Sequence, residues 1–339
     1  MRACIVGYGA IGPIHANAVK QSDSGEIEAI CDIKKERADL GAARMGCRAV
    51  YNFDDVIYDP GIDVVHICTP HYLHVDMACH ALSAGKHVVV EKPVAISQQG
   101  LNKLIEAEKK SKAKLCITLQ NRTNICVRKM QEITRNDCAI GKLIGVSGFL
   151  VWNRDEDYYK QDVWRGNWTT EGGSLLCNQA IHLIDLMHIF AGKVKKLRCS
   201  ISTKALDKII ETEDTADALF EFENGVRGIF FGTNGYVTSS PYVLELDFEN
   251  VRFRYADQAL YRIEKDKPAT VVTIDDVPQI GKNVWGNGHL SAIEQFYRHI
   301  LTGSENCMTL ESALSSAKSL LAMYESGKSG GKWVDVGSL

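Results

Sequence analysis

The run Ala3-Cys4-Ile5-Val6-Gly7-Tyr8-Gly9-Ala10-Ile11-Gly12 decides how this chain is read. Four apolar residues predict a short strand, and the glycines after them match G-x-G-x-x-G just before an amphipathic stretch, Ile14–Gln21. Glycine-rich turns are common, but one that leaves a strand and opens a helix is the fingerprint of a dinucleotide site. Gly7 permits the tight turn, Gly9 lets a pyrophosphate approach the backbone, and Gly12 lets helix and strand pack closely. Unpaired N–H groups at the helix start then face the phosphates. Tyr8, Ala10 and Ile11 complete the turn and are counted with it as cofactor-binding. Asp32 closes the next predicted strand, at about the ~20-residue spacing at which a carboxylate meets the adenosine ribose. That charge repels a 2′-phosphate, so the expected cofactor is NAD rather than NADP; Lys34 and Lys35 soften the preference.

Outward from the turn, short apolar runs alternate with longer amphipathic stretches. Strands are predicted at Ala3–Val6, Ile27–Cys31, Val64–Cys68, His87–Val90 and Leu115–Leu119, with helices at Ile14–Gln21, Lys34–Met45, His74–Ala84 and Gln98–Lys112. Nearly unalternated β-branched strands read as a parallel sheet covered on both faces, a doubly wound Rossmann domain over residues 1–120. Beyond that the rhythm changes. Strands dominate: Leu143–Val151, Lys196–Ser202, Ala216–Phe222, Arg227–Gly232, Tyr242–Phe248 and Val251–Tyr255. Asn224-Gly225 predicts a type I′ hairpin between two of them. Helices are expected at Cys126–Thr134, Asn178–Phe190, Leu290–Leu301 and Ala313–Tyr324, before a last strand at Lys332–Val336. The fold class expected is α/β, with a second α+β domain at 121–339 built on a large, mostly antiparallel open sheet.

A chain of 339 residues exceeds the usual single core, which agrees with two domains. Its 45% hydrophobic and 24% charged residues supply sizeable cores and argue against long disorder. Lys+Arg 39 against Asp+Glu 42, with no basic runs, gives nothing for nucleic acid or an anionic membrane to bind. The expected partner is a small molecule. No signal-like leader or membrane-length apolar run stands in the sequence, and the 11 cysteines form no C-x-x-C pair. Reduced thiols and a cytoplasmic location are the expectation.

Two constellations carry chemistry. Glu91-Lys92-Pro93 follows the His87–Val90 strand, at the carboxyl edge where doubly wound sheets bind ligands. Proline biases Lys92 toward an extended backbone, and a lysine fixed there can stabilise developing alkoxide charge. The second is Gly172-Gly173-Ser174-Leu175-Leu176-Cys177-Asn178-Gln179-Ala180-Ile181-His182-Leu183-Ile184-Asp185. On a helix Asn178, His182 and Asp185 share one face, and His182 is the natural acceptor of the proton an alcohol loses with its hydride. An isolated helical histidine is more often a core residue. A zinc site from His182, Asp185 and His188 is set aside because His188 lies off that face, and no metal is expected.

Taken together these segments resemble the glucose–fructose oxidoreductase / inositol dehydrogenase (Gfo/Idh/MocA) family. The resemblance rests on Gly7–Gly12, Cys31-Asp32, Thr69-Pro70-His71-Tyr72-Leu73-His74, Ala84-Gly85-Lys86-His87, Glu91-Lys92-Pro93 and Gly172–Asp185, and covers nearly the whole chain. It implies Lys92 as the hydroxyl-polarising lysine, His182 as the acid/base, and Thr69, Pro70, His71, His74 and Glu91 beside the cofactor. It also implies homodimers or homotetramers formed through the second sheet. There are departures: many members carry Asp where Asn178 stands, and an amide cannot accept a proton; many carry Thr-Pro-Asn where Thr69-Pro70-His71 stands. The segment Arg154-Asp155-Glu156-Asp157-Tyr158-Tyr159…Trp164-Arg165-Gly166-Asn167-Trp168 looks like a branch acting on sugars and nucleotide sugars, some members oxidising at C3. Arg154 and Arg165 offer donors for a carboxylate or phosphate, and Tyr158, Trp164 and Trp168 offer flat faces for a ring. A packed aromatic loop with surface ion pairs is the equal alternative. Arg154, Tyr158, Trp164, Arg165, Asn178, Lys92 and His182 are the expected substrate contacts.

The expected activity is NAD-dependent hydride transfer to or from a secondary hydroxyl of a sugar or sugar derivative. Two rivals keep the cofactor: an enzyme that recycles NAD during glycoside cleavage or epimerisation, and a non-catalytic NAD-binding redox sensor.

Overall fold

The structure is a computed structural model that describes residues 1–276 and 288–339. The chain divides into two compact units, Met1–Gln120 with Gln279–Ala313, and Asn121–Pro278 with Leu314–Leu339. The first boundary lies where the rhythm of the sequence changes. The second unit is not one continuous stretch: the helix read as Leu290–Leu301 spans Gly288–Thr302 and belongs to the first unit, where 121–339 had placed it in the second.

The first unit holds strands β1 (Arg2–Val6), β2 (Glu26–Cys31), β3 (Arg48–Val50), β4 (Val64–Ile67), β5 (His87–Glu91) and β6 (Leu115–Thr118). They form a parallel sheet in the order β3-β2-β1-β4-β5-β6. The order reverses beside β1, so the glycine turn after β1 sits at the switch point where such sheets take ligands. Helices α1 (Gly12–Gln21), α2 (Lys35–Met45), α3 (Phe53–Ile57), α4 (His74–Ser83) and α5 (Gln98–Lys110) connect the strands. Strands β4, β5 and β6 are buried along their whole length or nearly so, as covered parallel strands require. Strand β3 and helix α3 were not anticipated; three and five residues are too short to show a period.

The second unit begins with α6 (Ile125–Asn136), β7 (Leu143–Val151), α7 (Glu156–Lys160) and α8 (Ile181–Ala191). Strands β8 (Val194–Ser202), β9 (Thr215–Phe222), β10 (Arg227–Thr233), β11 (Val243–Phe248), β12 (Arg252–Ala256), β13 (Ala259–Ile263) and β14 (Thr270–Ile274) follow, and β15 (Val334–Asp335) ends the sheet. Among the described residues this sheet has nine strands, ordered β14-β13-β12-β11-β7-β10-β9-β8-β15, and only the β7–β10 pair is parallel. One face is covered by α8, whose Leu183 and Met187 lie over Gly148 of β7. On the other, Phe149 and Ile229 remain exposed. Strands β13 and β14 were not read from the sequence.

The turn chemistry also differs from expectation. A type I′ turn needs positive φ at both central residues, and at Asn224-Gly225 only Gly225 has it, at 86°. Gly225 N instead donates to Phe222 O, while the Asn224 side chain accepts from Val226 N and donates to Ala191 O. A side chain held on both sides keeps Asn224 out of the left-handed region. The I′ geometry is at Asp257 and Gln258, φ 52° and 58°, between β12 and β13.

Candidate active site

The glycine turn has the geometry a dinucleotide needs. Gly7 has φ 90°, and its N–H donates to Cys31 O. A Cβ on Gly12 would stand 2.3 Å from Gly7 O, so no side chain fits between turn and helix. A Cβ on Gly9 would meet only the Arg37 guanidinium, at 3.5 Å, so the turn is open there and closed at its flanks. That is the asymmetry expected if Gly9 is kept bare for a pyrophosphate. Arg37, one turn into α2, was not singled out from the sequence; only the fold brings it to the turn.

Asp32 accepts the N–H of Tyr8 on Oδ2 and that of Lys34 on Oδ1, both at 2.8 Å. Each oxygen retains lone-pair capacity for ribose hydroxyls. Ile33 beside it is 88% exposed, an apolar face at the adenosine end. Lys35 lies over the Tyr51 ring. Tyr8 contributes its backbone to the turn, but its ring is buried against Gly41 of α2. Its side chain packs in the core of the unit.

Thr69 and Pro70 lead from β4 into a short turn, His71–Leu73, with His71 buried. His74, expected at the cofactor, is a tether: its ring nitrogens lie 2.9 Å from Thr69 O and 3.1 Å from Pro93 O. Burial pulls its pKa down and the two carbonyl contacts oppose that. It therefore ties the turn after β4 to the turn after β5, which carries Lys92. The Lys92–Pro93 peptide is cis. Glu91, also expected at the cofactor, points into the unit's interior, where its Oε1 lies 2.9 Å from His15 Nε2. Burial opposes its charge, but the contact with His15 outweighs it and draws the carboxyl down to about 2.

In the second unit the Gly172–Asp185 segment is not one regular helix. Leu175–Ala180 is wound as a π-turn, and α8 starts at Ile181. Its leading N–H groups need partners, and Glu213 supplies them by accepting from Ser174 N and, at 2.9 Å, Leu176 N. Tyr324 donates to Glu213 at 2.8 Å and accepts from Cys177 N. A Cβ on Gly173 would lie 1.8 Å from that Tyr324 oxygen, which explains the glycine. Burial raises the Glu213 carboxyl to about 7. Sequence spacing could not place Glu213, 35 or more positions from the groups it caps.

The wider winding separates the roles of residues read as one helical face. Asn178 donates from Nδ2 to Glu171 Oε1 at 2.6 Å. His182 is half-buried on α8. Asp185 is buried and takes two bonds from Arg122, Nε at 2.8 Å and Nη2 at 2.6 Å, and one from Ser316 Oγ at 2.9 Å. It fastens α8 to Arg122 and Ser316. His188 contacts Gly192 O at the end of α8.

The aromatic–arginine segment forms a continuous stack. Arg154 lies between the Trp152 and Tyr158 rings, 5.0 Å from each centroid, and Arg165 between Tyr158 and Trp164, at 4.4 and 4.9 Å. The Tyr158 hydroxyl accepts from Arg165, Gln179 and Asn178, so the stack is docked on the segment that leads to His182. Trp168 is diverted from that stack: it packs T-shaped against Tyr324, with Lys328 Nζ 4.0 Å from its ring centroid. Asn234, missed in the sequence, completes the network under Tyr159 together with Gln179.

Residues 1–119 match the model of an oxidoreductase family with an NAD-binding Rossmann fold, and residues 127–253 match the GFO/IDH/MocA C-terminal domain. A curated relative, myo-inositol 2-dehydrogenase of Thermotoga maritima, is 23% identical over 97% of this chain and 96% of its own. Among solved structures, the WlbA dehydrogenase of Bordetella pertussis, in complex with NADH and UDP-GlcNAcA, superposes with a TM-score of 0.85 at 25% identity, covering 98% of both chains. Levoglucosan dehydrogenase, in complex with NADH and levoglucosan, gives 0.87 at 20% identity over 99% of each, a likeness of fold. The chain is an NAD-binding oxidoreductase of the Gfo/Idh/MocA family.

Proposed function

We propose that this chain is a dehydrogenase acting reversibly on a secondary hydroxyl of a sugar or sugar derivative. NAD bound at the Gly7–Gly12 turn and Asp32 supplies the hydride acceptor. Lys92, held by the turn that His74 tethers, hydrogen-bonds the substrate oxygen and stabilises its developing charge. His182 takes the hydroxyl proton. The finer reading is a sugar bearing an anionic group, a nucleotide-linked sugar oxidised at C3.

The observation that carries this reading is the Trp152–Arg154–Tyr158–Arg165–Trp164 stack, tied by Tyr158 to Asn178 and Gln179. Among the described residues Arg154 has no carboxylate partner; its guanidinium donates to Asn153 O and its backbone N–H to Asn234 O. A guanidinium fixed on aromatic faces without a counter-charge suits a phosphate or carboxylate. The bound UDP-GlcNAcA of the WlbA structure has both kinds of acceptor. On the open face of the second sheet, Phe149 and Phe231 pair in register, with Val243 and Ile229 nearby. That apolar patch supports a homo-oligomer formed through the sheet. None of the 11 cysteines is in a disulfide among the described residues, which fits a reducing cytoplasm, and no helix among them is long and apolar enough to cross a membrane.

The test is a panel of free sugars, glycosides and nucleotide sugars, incubated with NAD and scored for NADH absorbance. NADH formation with a nucleotide sugar, lost on Arg154→Ala, is the expected result. A sugar altered without NADH accumulating would favour the recycling enzyme, and NAD binding with no change in any sugar would favour the sensor.

A further inference from the structure

Beneath the turn that carries Lys92, the first unit buries a group of side chains that hydride transfer does not use. His15 lies one turn into α1, Glu91 ends β5, and His289 is the second residue of a helix we label α9 (Gly288–Thr302). They are 0%, 5% and 4% exposed. Glu91 Oε1 lies 2.9 Å from His15 Nε2 and 3.9 Å from His289 Nε2, and the three donor atoms fall within 4.8 Å of one another. From this geometry we propose that His15, Glu91 and His289 form a binding site for a divalent transition-metal ion of the zinc class.

Three features support it. First, ligand bonds of about 2.0–2.2 Å in a tetrahedral site set donors roughly 3.3–3.5 Å apart, and 2.9 and 3.9 Å bracket that spacing. Second, among the described residues His289 Nε2 has no hydrogen-bond partner although it is buried. At 3.9 Å from Glu91 it is too far to bond directly, yet placed to share an ion with it. Third, the site has an outer layer. His15 Nδ1 lies 3.0 Å from His66 Nδ1, and His66 Nε2 lies 2.7 Å from the Tyr297 hydroxyl. With His15 Nε2 on a metal, its proton sits on Nδ1 and is donated to His66, whose Nε2–H then reaches Tyr297. Ligating histidines are commonly fixed by such a bond on their far nitrogen. Two imidazoles and one carboxylate suit zinc, cobalt(II) or iron(II) rather than magnesium or calcium.

The ion would clamp α1, whose first residue closes the glycine turn, to the strand that ends beside Lys92 and to α9. A metal-free cluster has a different proton order: Tyr297 donates to His66, His66 to His15, and His15 to Glu91. That order leaves His289 Nε2 unserved.

The test needs no activity. Protein grown with added zinc and purified without chelator is measured for bound metals by plasma mass spectrometry, with about one ion per chain expected. Stripped wild-type protein should regain thermal stability with Zn2+ and develop a visible ligand-field band with Co2+. His289→Ala and His289→Gln should abolish both responses while still binding NAD. Less than about a tenth of an ion per chain, with no response of stripped wild-type protein to either metal, overturns the proposal. So does stoichiometric metal retained unchanged in His15→Ala and His289→Ala proteins. Because metal content is read directly, failure here leaves the hydride-transfer reading standing, and loss of NADH formation alone says nothing about this site.

Discussion

Replacing Arg122 by Met tests the role assigned to Asp185. The pair is withdrawn from water, with side chains 5% and 3% exposed, and joined by two short bonds. Methionine keeps much of the volume and removes the charge, leaving a buried carboxylate that still accepts from the Ser316 hydroxyl. Breaking a buried pair from one side costs about 3–5 kcal/mol. The expected loss is of that size. Urea unfolding followed by tryptophan fluorescence suits the measurement, because Trp152, Trp164, Trp168 and Trp333 all lie in the second unit. Asp185→Leu added to Arg122→Met should recover most of the loss, since no charge is then left buried. A loss below about 1 kcal/mol would refute a buried, desolvated pair as the anchor of α8.

Glu213 gives a pH dependence of known sign. Its folded pKa is about 7, above the ordinary glutamate value, so the stability it contributes is present at low pH and lost as pH rises toward neutrality. Glu213→Gln keeps an oxygen for Ser174, Leu176 and Tyr324; between pH 4.5 and 7 wild type should lose about 3 kcal/mol relative to it, and parallel urea-unfolding profiles would contradict this. Gly9→Ala should leave the melting temperature nearly unchanged while weakening NAD binding at least tenfold by calorimetry, whereas Gly12→Ala, whose Cβ meets Gly7 O, should impair both. Asp32→Ser should move the NADP-to-NAD ratio of kcat/KM upward by about a hundredfold, and an unmoved ratio would remove Asp32 from cofactor choice.

The parts of this protein that were legible in the sequence are those set by local periodicity and by turns that admit only glycine. The strand–Gly7–Gly12–helix unit could be read because each glycine answers to a steric demand within a few residues. Lys92 could be placed at a strand end because its strand is a short β-branched run followed by proline. The π-turn before His182 could not, because what stabilises it is a carboxylate in the distant segment that leads into β9, and a 3.6-residue period assigned Asn178, His182 and Asp185 to one face. The same holds for Arg122 on Asp185 and for His74 and Glu91: the family resemblance implied cofactor contacts, while their partners, two carbonyls and a buried histidine, are brought in only by tertiary structure. The I′ turn at Asp257-Gln258 was overlooked because Asp-Gln lacks the glycine that announces such turns, and the more obvious Asn224-Gly225 was bent otherwise by the bonds of its own side chain. Helix α9 joined the first unit by long-range packing that no local pattern reports.

The most direct test of the account is single-turnover NADH formation in wild type, Lys92→Ala and His182→Ala, with the NAD dissociation constant measured on the same samples. The account predicts that hydride transfer slows by about a hundredfold or more in each variant while NAD affinity changes by less than about threefold. Wild-type rates in both variants, at unchanged affinity, would contradict it.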